Sequence, residues 1–263
     1  MSGSKVVRSA DRALQVLEHL ARCDEARSLA ELDKDLPIPK STLHGLLWTL
    51  VSRGWVEVDE PSGRFRIGLQ ALLVGRGYLE TDTTVAMSGM ALDQLAAETG
   101  ETIHIGRLDG TSIVYLDKRE SIHPLRLFSA IGRRLPAFTT ALGKSILAEL
   151  PDTEVARHLP DPLPRQTQHT ITSIDELLAD LAATRERGYA IDNQESTEGI
   201  RGFALVIRAS DPPHDAISCA VPLSRLDDQR EAEVVASLRE AAASIERRAR
   251  SERPTLRIQA DAT

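Results

Sequence analysis

Two cysteines, Cys23 and Cys219, are all that the 263 residues contain. Two thiols cannot frame a disulfide scaffold or a zinc site of the CxxC…CxxC kind, and a reducing, cytoplasmic location is the expectation. Aromatic residues are 3% of the chain, so the core must be built from Leu, Val, Ile and Ala. No apolar run approaches the ~18 residues of a membrane span. The opening stretch MSGSKVVRSADRALQ lacks the apolar segment of a secretory leader. HExxH, GxSxG, a Walker A loop and GxGxxG are all missing, and His104, His123, His158, His169 and His214 follow no metal-ligand spacing. The expectation is a chain with no catalytic residues, no metal and no cofactor.

What is present is ordinary for a folded protein, with 41% hydrophobic and 27% charged residues. That composition excludes disorder as the main state, and the length suits one large domain or two modest ones. The net charge of −7 is unevenly placed. Residues 1–80 hold 11 basic and 11 acidic side chains, so the whole excess lies beyond them. Within the neutral part, Leu36 to Val56 carries Lys40, His44 and Arg53 and no acid. An acid-free stretch in an acidic protein is what a phosphate-facing element needs, although chance yields such windows too.

Apolar residues at 10, 13, 14, 17, 20 and 21 predict a helix over Arg8–Ala21. Ser28-Leu-Ala-Glu31 is a capping box that opens a short helix ending near Leu36. Pro37 and Pro39 mark a turn, and a third helix runs from there to Arg53, stopped by Gly54. Trp55–Val58 and Arg64–Ile67 alternate as the arms of a β-hairpin. Three helices and a hairpin are the order of a winged helix-turn-helix. Leu69–Gly100 reads as two helices interrupted near Gly75, Gly77 and Thr81–Thr84. After Gly100 the period becomes two. Strands are expected at Thr102–Arg107, Ser112–Lys118, Leu125–Ala130, Phe203–Ala209 and Ala216–Val221, with helices at Thr140–Leu150, Ser173–Gly188 and Asp228 to about Arg250. Pro254–Thr263 reads as a frayed tail. The fold class is α+β. The expected domains are 1–68 (winged helix), 69–83 (linker helix), 84–253 (second domain) and 254–263 (tail).

On a helical wheel, Leu43, Leu46, Leu47, Leu50 and Val51 form the buried side of the third helix. Ser41, His44, Gly45, Trp48 and Ser52 point outward, flanked by Thr42 and Thr49. Short hydroxyl donors near a free helix start, with no acid, suit a helix in the major groove. Lys40, Ser41, Thr42, His44, Gly45 and Trp48 are the candidate DNA contacts, with Arg64 at the tip of the wing. A polar outer face is also the ordinary solvated one. Trp48 has two readings, a DNA contact or packing against the wing or a partner subunit.

VVRSADRALQVLEHLA, SLAELDKDLPIPKSTLHGLLWTLVSRGWVE and SGRFRIGLQALLVG resemble the N-terminal domain of the IclR family of bacterial transcriptional regulators. LAAETGETIHIGRLDG, IVYLDKRESIHPLRLFSAIGRRLPAFTTALGKSILAELP, ERGYAIDNQESTEGIRG and AISCAVP are similar to its second half. The resemblance runs from about Val6 to about Arg250. It implies a winged helix that binds operator DNA, a linker helix, a GAF/PAS-like effector-binding domain, and dimers through the N-terminal part, commonly paired into tetramers. The sequence departs from the family at Gly45, where Arg often follows the His.

Arg133–Gly143 leads into a helix whose free N–H groups, with the hydroxyls of Thr139 and Thr140, suit a carboxylate. A threonine before a helix is equally an ordinary cap. The resemblance places this loop, including Ala141 and Leu142, in the ligand pocket. It adds Asp192, Gly202 (often Cys in the family), Ser218 and Ala220. Gly202 and Ala220 have lost side-chain donors, so the expected effector is a small organic acid with a ring or apolar body. Phe128, Phe138 and Phe203 are candidate walls for it. The rival readings are a non-DNA sensor that uses the winged helix for protein contacts and a GAF-like enzyme. The enzyme would need an accessible low-pKa cysteine. Cys219 lies in an expected central strand, where a thiol is ordinarily inert.

Overall fold

Arg8–Ala21 forms helix α1, whose Val16 and Leu20 are buried against the rest of the N-terminal unit. The structure, a computed structural model, describes residues 6–252. These divide into two units, one ending at Thr81 and the other beginning at Asp82. In the first, Arg27–Ser28 is a short strand, β1, and Leu29–Asp35 is α2. The capping box at α2 forms as expected: Ser28 N donates to Glu31 Oε2 at 2.7 Å and Glu31 N to Ser28 Oγ at 3.3 Å. Lys40–Ser52 is α3, and Gly54 after it takes a φ of +73°. Val56–Asp59 (β2) and Arg64–Ile67 (β3) are the wing, with Gly63 at φ +64° in its turn. The sheet has the order β1-β3-β2, one strand more than the expected hairpin. Leu69–Thr81 is a single helix, α4; Gly75 and Gly77 do not interrupt it. No residue of α4 is buried, and Leu69, Leu72, Leu73 and Val74 are exposed.

The second unit begins with Asp82, whose Oδ1 accepts from Val85 N at 3.1 Å and caps α5, Thr83–Thr99. Thr102–Asp109 (β4) and Ser112–Arg119 (β5) form the expected hairpin, with Gly110 at φ +60° in its turn. Then come Arg134–Pro136 (β6), Ala141–Leu147 (α6), Asp152–Val155 (α7) and Ile174–Arg187 (α8). Ala190–Asn193 (β7), Ile200–Ile207 (β8), Asp215–Pro222 (β9) and Asp228–Glu252 (α9) complete the described residues. All pairings in the six-stranded sheet β6-β5-β4-β9-β8-β7 are antiparallel.

Alternation along the strands sends side chains to two cores. Ile103, Ile105, Ile217, Cys219 and Val221 pack against α5 and α9. Ile113, Tyr115, Ala204 and Ala216 pack against α6 and α8. The α+β class therefore holds. Leu125–Ala130 is not a strand. Cationic side chains take its carbonyls instead: Arg225 reaches Leu125 O at 3.0 Å, Lys118 Ser129 O at 2.7 Å and Arg133 Phe128 O at 3.0 Å. The helix after Thr140 ends at Leu147 rather than Leu150. The tail at Pro254–Thr263 lies outside the described residues. Among the described residues no helix is long and apolar enough to cross a membrane, and no group of three or more His, Cys, Asp or Glu could hold a metal ion.

Candidate DNA-reading helix and effector site

Helix α3 has the phase its sequence implies. Leu43, Leu47 and Leu50 are buried, with Leu46 and Val51 half-buried beside them. Lys40, Ser41, His44, Gly45, Trp48, Thr49 and Ser52 are exposed and Thr42 is half-buried. Pro39 precedes the helix and offers no side-chain cap, so the N–H groups of its first turn keep their capacity for an outside acceptor. Trp48 is 48% exposed, yet its ring stands edge-on to Phe65 of β3 with centroids 6.3 Å apart. Its Nε1 donates to His44 Nε2 at 3.0 Å. Trp48 thus packs on the wing while leaving half its surface free.

Arg64 corrects the expectation of a free cation at the wing tip. It lies on β3, opposite Ser28 of β1 and Asp59 of β2. Its guanidinium reaches both Glu31 oxygens at 3.1 Å and Ala26 O at 3.3 Å. Hydrogen bonds from Ser28, and then the charge of Arg64, hold the Glu31 carboxyl below its ordinary range. Arg66 is likewise paired, with Glu57 at 2.8 Å. The turn itself carries Asp59, bonded by Ser62 N at 3.2 Å. Among the described residues of the α3 segment, Lys40 and Arg53 are exposed cations.

In the second unit the strand register gathers the expected effector residues. Ala220 pairs with Gly202 and Gly202 with Asp192, while Ser218 pairs with Ala204 in the next row. These positions share the α6 face of the sheet. The start of α6 lies over them: a Cβ built on Gly202 would stand 3.5 Å from Ala141 Cβ and 3.4 Å from Asp192 Cβ. A Cβ at Gly202 would thus make only ordinary van der Waals contact with these two neighbours. Thr139, Thr140, Ala141 and Leu142 are all buried. Thr139 Oγ1 donates to Pro136 O at 3.1 Å, and Thr140 Oγ1 accepts from Gly143 N at 3.0 Å. Both hydroxyls serve the local turn, and Thr140 is an ordinary cap. Leu142 packs in the α6 core. Asp192 accepts from Glu195 N at 2.7 Å and Ser196 N at 3.2 Å, so its carboxylate closes the β7–β8 turn. Burial raises its pKa against those bonds. Of the candidate walls, Phe138 is in the α6 core, Phe203 faces α5 and α9 on the other side, and Phe128 is 85% exposed.

Three residues on this face escaped the sequence reading. Thr102 lies opposite Ala220, and its buried Oγ1 has no partner. His104 lies opposite Ser218, stacked on Tyr115 with centroids 4.2 Å apart and bonded to Ser129 Oγ at 2.7 Å. Burial, helped by the charges of Lys118 and Arg133, pushes its pKa down to about 3 and keeps the ring neutral. Burial pushes the Tyr115 hydroxyl up to about 12, and Arg133 and Asp192 both act on it. The signal was period two: the polar Thr102 and His104 alternate with the apolar Ile103 and Ile105. On the same side of the sheet, buried Lys144 of α6 bonds Glu195 at 2.5 Å and Asp180 at 2.9 Å. Burial pushes the Glu195 carboxyl up to about 7 against the pull of Lys144.

Residues 77–247 match the family model for the bacterial transcriptional regulator IclR C-terminal domain, and residues 9–60 match the IclR helix-turn-helix domain. The chain belongs to the IclR family. It is 33% identical over 243 residues to the transcriptional repressor IclR of Escherichia coli, covering 91% of this chain and 89% of that one. An IclR transcriptional regulator from Alicyclobacillus acidocaldarius has a TM-score of 0.82 at 26% identity, covering 92% of this chain and 99% of that one. An IclR homologue from Microbacterium hydrocarbonoxydans, complexed with 4-hydroxybenzoate, shares the fold with a TM-score of 0.77 at 23% identity; the match covers 92% of this chain and 99% of that one.

As an IclR-family transcriptional regulator, the chain carries a helix-turn-helix domain followed by an effector-binding domain. Its thiols give no support to the enzyme reading. Cys219 is buried in β9, where desolvation first and Glu101 second push it up to about 12. Cys23 is half-buried, its Sγ 3.3 Å from His19 O.

Proposed function

We propose that this IclR-family chain is a cytoplasmic repressor that holds its operator as a symmetric dimer, paired into a tetramer, until a small organic acid binds the second domain. The observation that carries the DNA part is the outer face of α3. It is acid-free, its first-turn N–H groups are uncapped, and Lys40, Ser41, Thr42, His44, Gly45 and Trp48 line it. Repression is the sign in the name of the Escherichia coli relative. Dimerisation is supported by α4, because an exposed row of Leu69, Leu72, Leu73 and Val74 is surface that a partner normally covers.

The effector is assigned to the α6 face of the sheet, between Ala141, Asp192, Gly202, Ser218 and Ala220, with Thr102, His104 and Tyr115 as added polar contacts. Thr102 Oγ1 supports this, since a buried hydroxyl without a partner is costly unless a ligand supplies one. Gel shifts on the chain's own upstream region at several salt concentrations test the DNA role; affinity must fall steeply with salt. A thermal-shift series with 4-hydroxybenzoate, glyoxylate and pyruvate tests the effector role. A ligand at 100 times its Kd adds about 2.7 kcal/mol. The reading expects the hydroxylated aromatic acid to shift the melt most, and a preference for the smallest keto acids overturns the aromatic assignment.

A further inference from the structure

We propose that Trp48 is a positioning residue for base recognition, fixing His44 so that it meets DNA as a hydrogen-bond donor and selects guanine. This rests on the DNA-reading role of α3 proposed above. An indole N–H can only donate. With Trp48 Nε1 3.0 Å from His44 Nε2, that nitrogen carries the lone pair. A neutral imidazole then holds its proton on Nδ1. The pair is braced on two sides: the His44 and Trp48 rings meet edge-on at 6.2 Å, and Phe65 of the wing holds Trp48 from beyond at 6.3 Å. His44 Nδ1 has no partner among the described residues.

The hydroxyls on the C-terminal side of His44 do not compete for the base. Thr49 Oγ1 donates back to Gly45 O at 2.8 Å and Ser52 Oγ to Thr49 O at 2.8 Å. Gly45 flanks His44, and a Cβ there would meet nothing within 4 Å. Packing gives no reason for a glycine, which costs a helix interior about 1 kcal/mol relative to Ala. A bare backbone beside His44 lets the helix come close to base edges. In the major groove guanine presents two acceptors, N7 and O6, whereas adenine sets a donor beside its N7. A single N–H donor meets two acceptors and no donor on guanine, against one acceptor on adenine or thymine, so guanine is its best partner.

Selection from a random duplex library with the full chain tests this, using the wild type, His44→Ala, His44→Gln and Trp48→Phe. The wild type is expected to enrich a motif with one guanine preferred roughly five- to tenfold, the scale of one good base contact. His44→Ala and Trp48→Phe lose that preference at the same position and keep the others. His44→Gln retains it, because the amide offers an oxygen to the indole and an N–H beyond. Ring 15N spectra of His44 in the wild type read the tautomer without any substitution, and Nδ1–H is expected. Guanine kept by Trp48→Phe, a motif untouched by His44→Ala, or an Nε2–H tautomer overturns the proposal. If the wild type enriches no sequence at all, the DNA-reading role itself fails, which is a distinct outcome.

Discussion

Leu47 and His44 lie three positions apart on α3 and test its phase in opposite directions. Leu47 is fully buried, so Leu47→Ala should cost about 2–5 kcal/mol in thermal or urea unfolding. His44 is exposed, and His44→Ala should leave stability within about 0.5 kcal/mol. Leu46, assigned to the core from the wheel, is only half-buried, so Leu46→Ala should cost less than Leu47→Ala. The phase was legible because a 3.6-residue period depends only on local geometry. The engagement of Arg64 was not, because its partner Glu31 is 33 residues away in sequence. His104 carries a pH prediction. Its folded pKa is about 3, whereas an unfolded histidine titrates near 6.5. Between those values the unfolded chain binds a proton that the folded chain refuses, so stability is full above about pH 6.5 and falls towards pH 3. Urea unfolding from pH 7 to 4 should show a shallower decline in His104→Phe than in the wild type. Equal slopes would mean that the ring is not held neutral.

Elements are defined by what their ends meet. Gly143 shows this for α6: a Cβ there would stand 2.0 Å from Ala137 O, so only glycine lets the helix turn so tightly against its own entry. Gly143→Ala should therefore lower the melting temperature of the second unit sharply or abolish soluble expression, while Gly45→Ala should raise stability. Asp82 does a different task at the start of α5. It caps the helix and bonds Arg107 at 2.5 Å, and Arg107 also holds Asp215 at 2.7 Å. Asp82→Ala should cost about 3 kcal/mol or more, since it removes a cap and one partner of a largely buried ion pair. The longer helices were readable from capping residues and periodicity, whereas the four-residue α7 was not. Nor were β1, β6 and β7, being two, three and four residues long, too short for alternation to stand out. Leu125–Ala130 failed as a strand because its backbone meets cationic side chains rather than a neighbouring ladder.

At the scale of the whole molecule, the exposed apolar row of α4 makes assembly the first quantity to measure. Leu72→Glu with Leu73→Glu should lower the dimer fraction in sedimentation velocity while far-ultraviolet circular dichroism stays unchanged. A monomeric wild type would remove the dimer proposal. The two-part plan, the winged helix, the outer face of α3 and the α+β class could all be read from the residues alone. Each of these follows from local period, capping and turn chemistry, which act over a few residues. The sequence also pointed to Asp192, Gly202, Ser218 and Ala220 through resemblance. The folded chain was needed to show that β9 lies between β4 and β8, an order that places Thr102 beside Ala220 and His104 beside Ser218. It set Ala141 and Asp192 beside Gly202. It also decided that the cations of the wing are spent on Glu31 and Glu57 rather than left free. The physical reason is range: strand order, packing contacts and charge pairing depend on residues tens to more than a hundred positions apart, and no local pattern encodes those meetings.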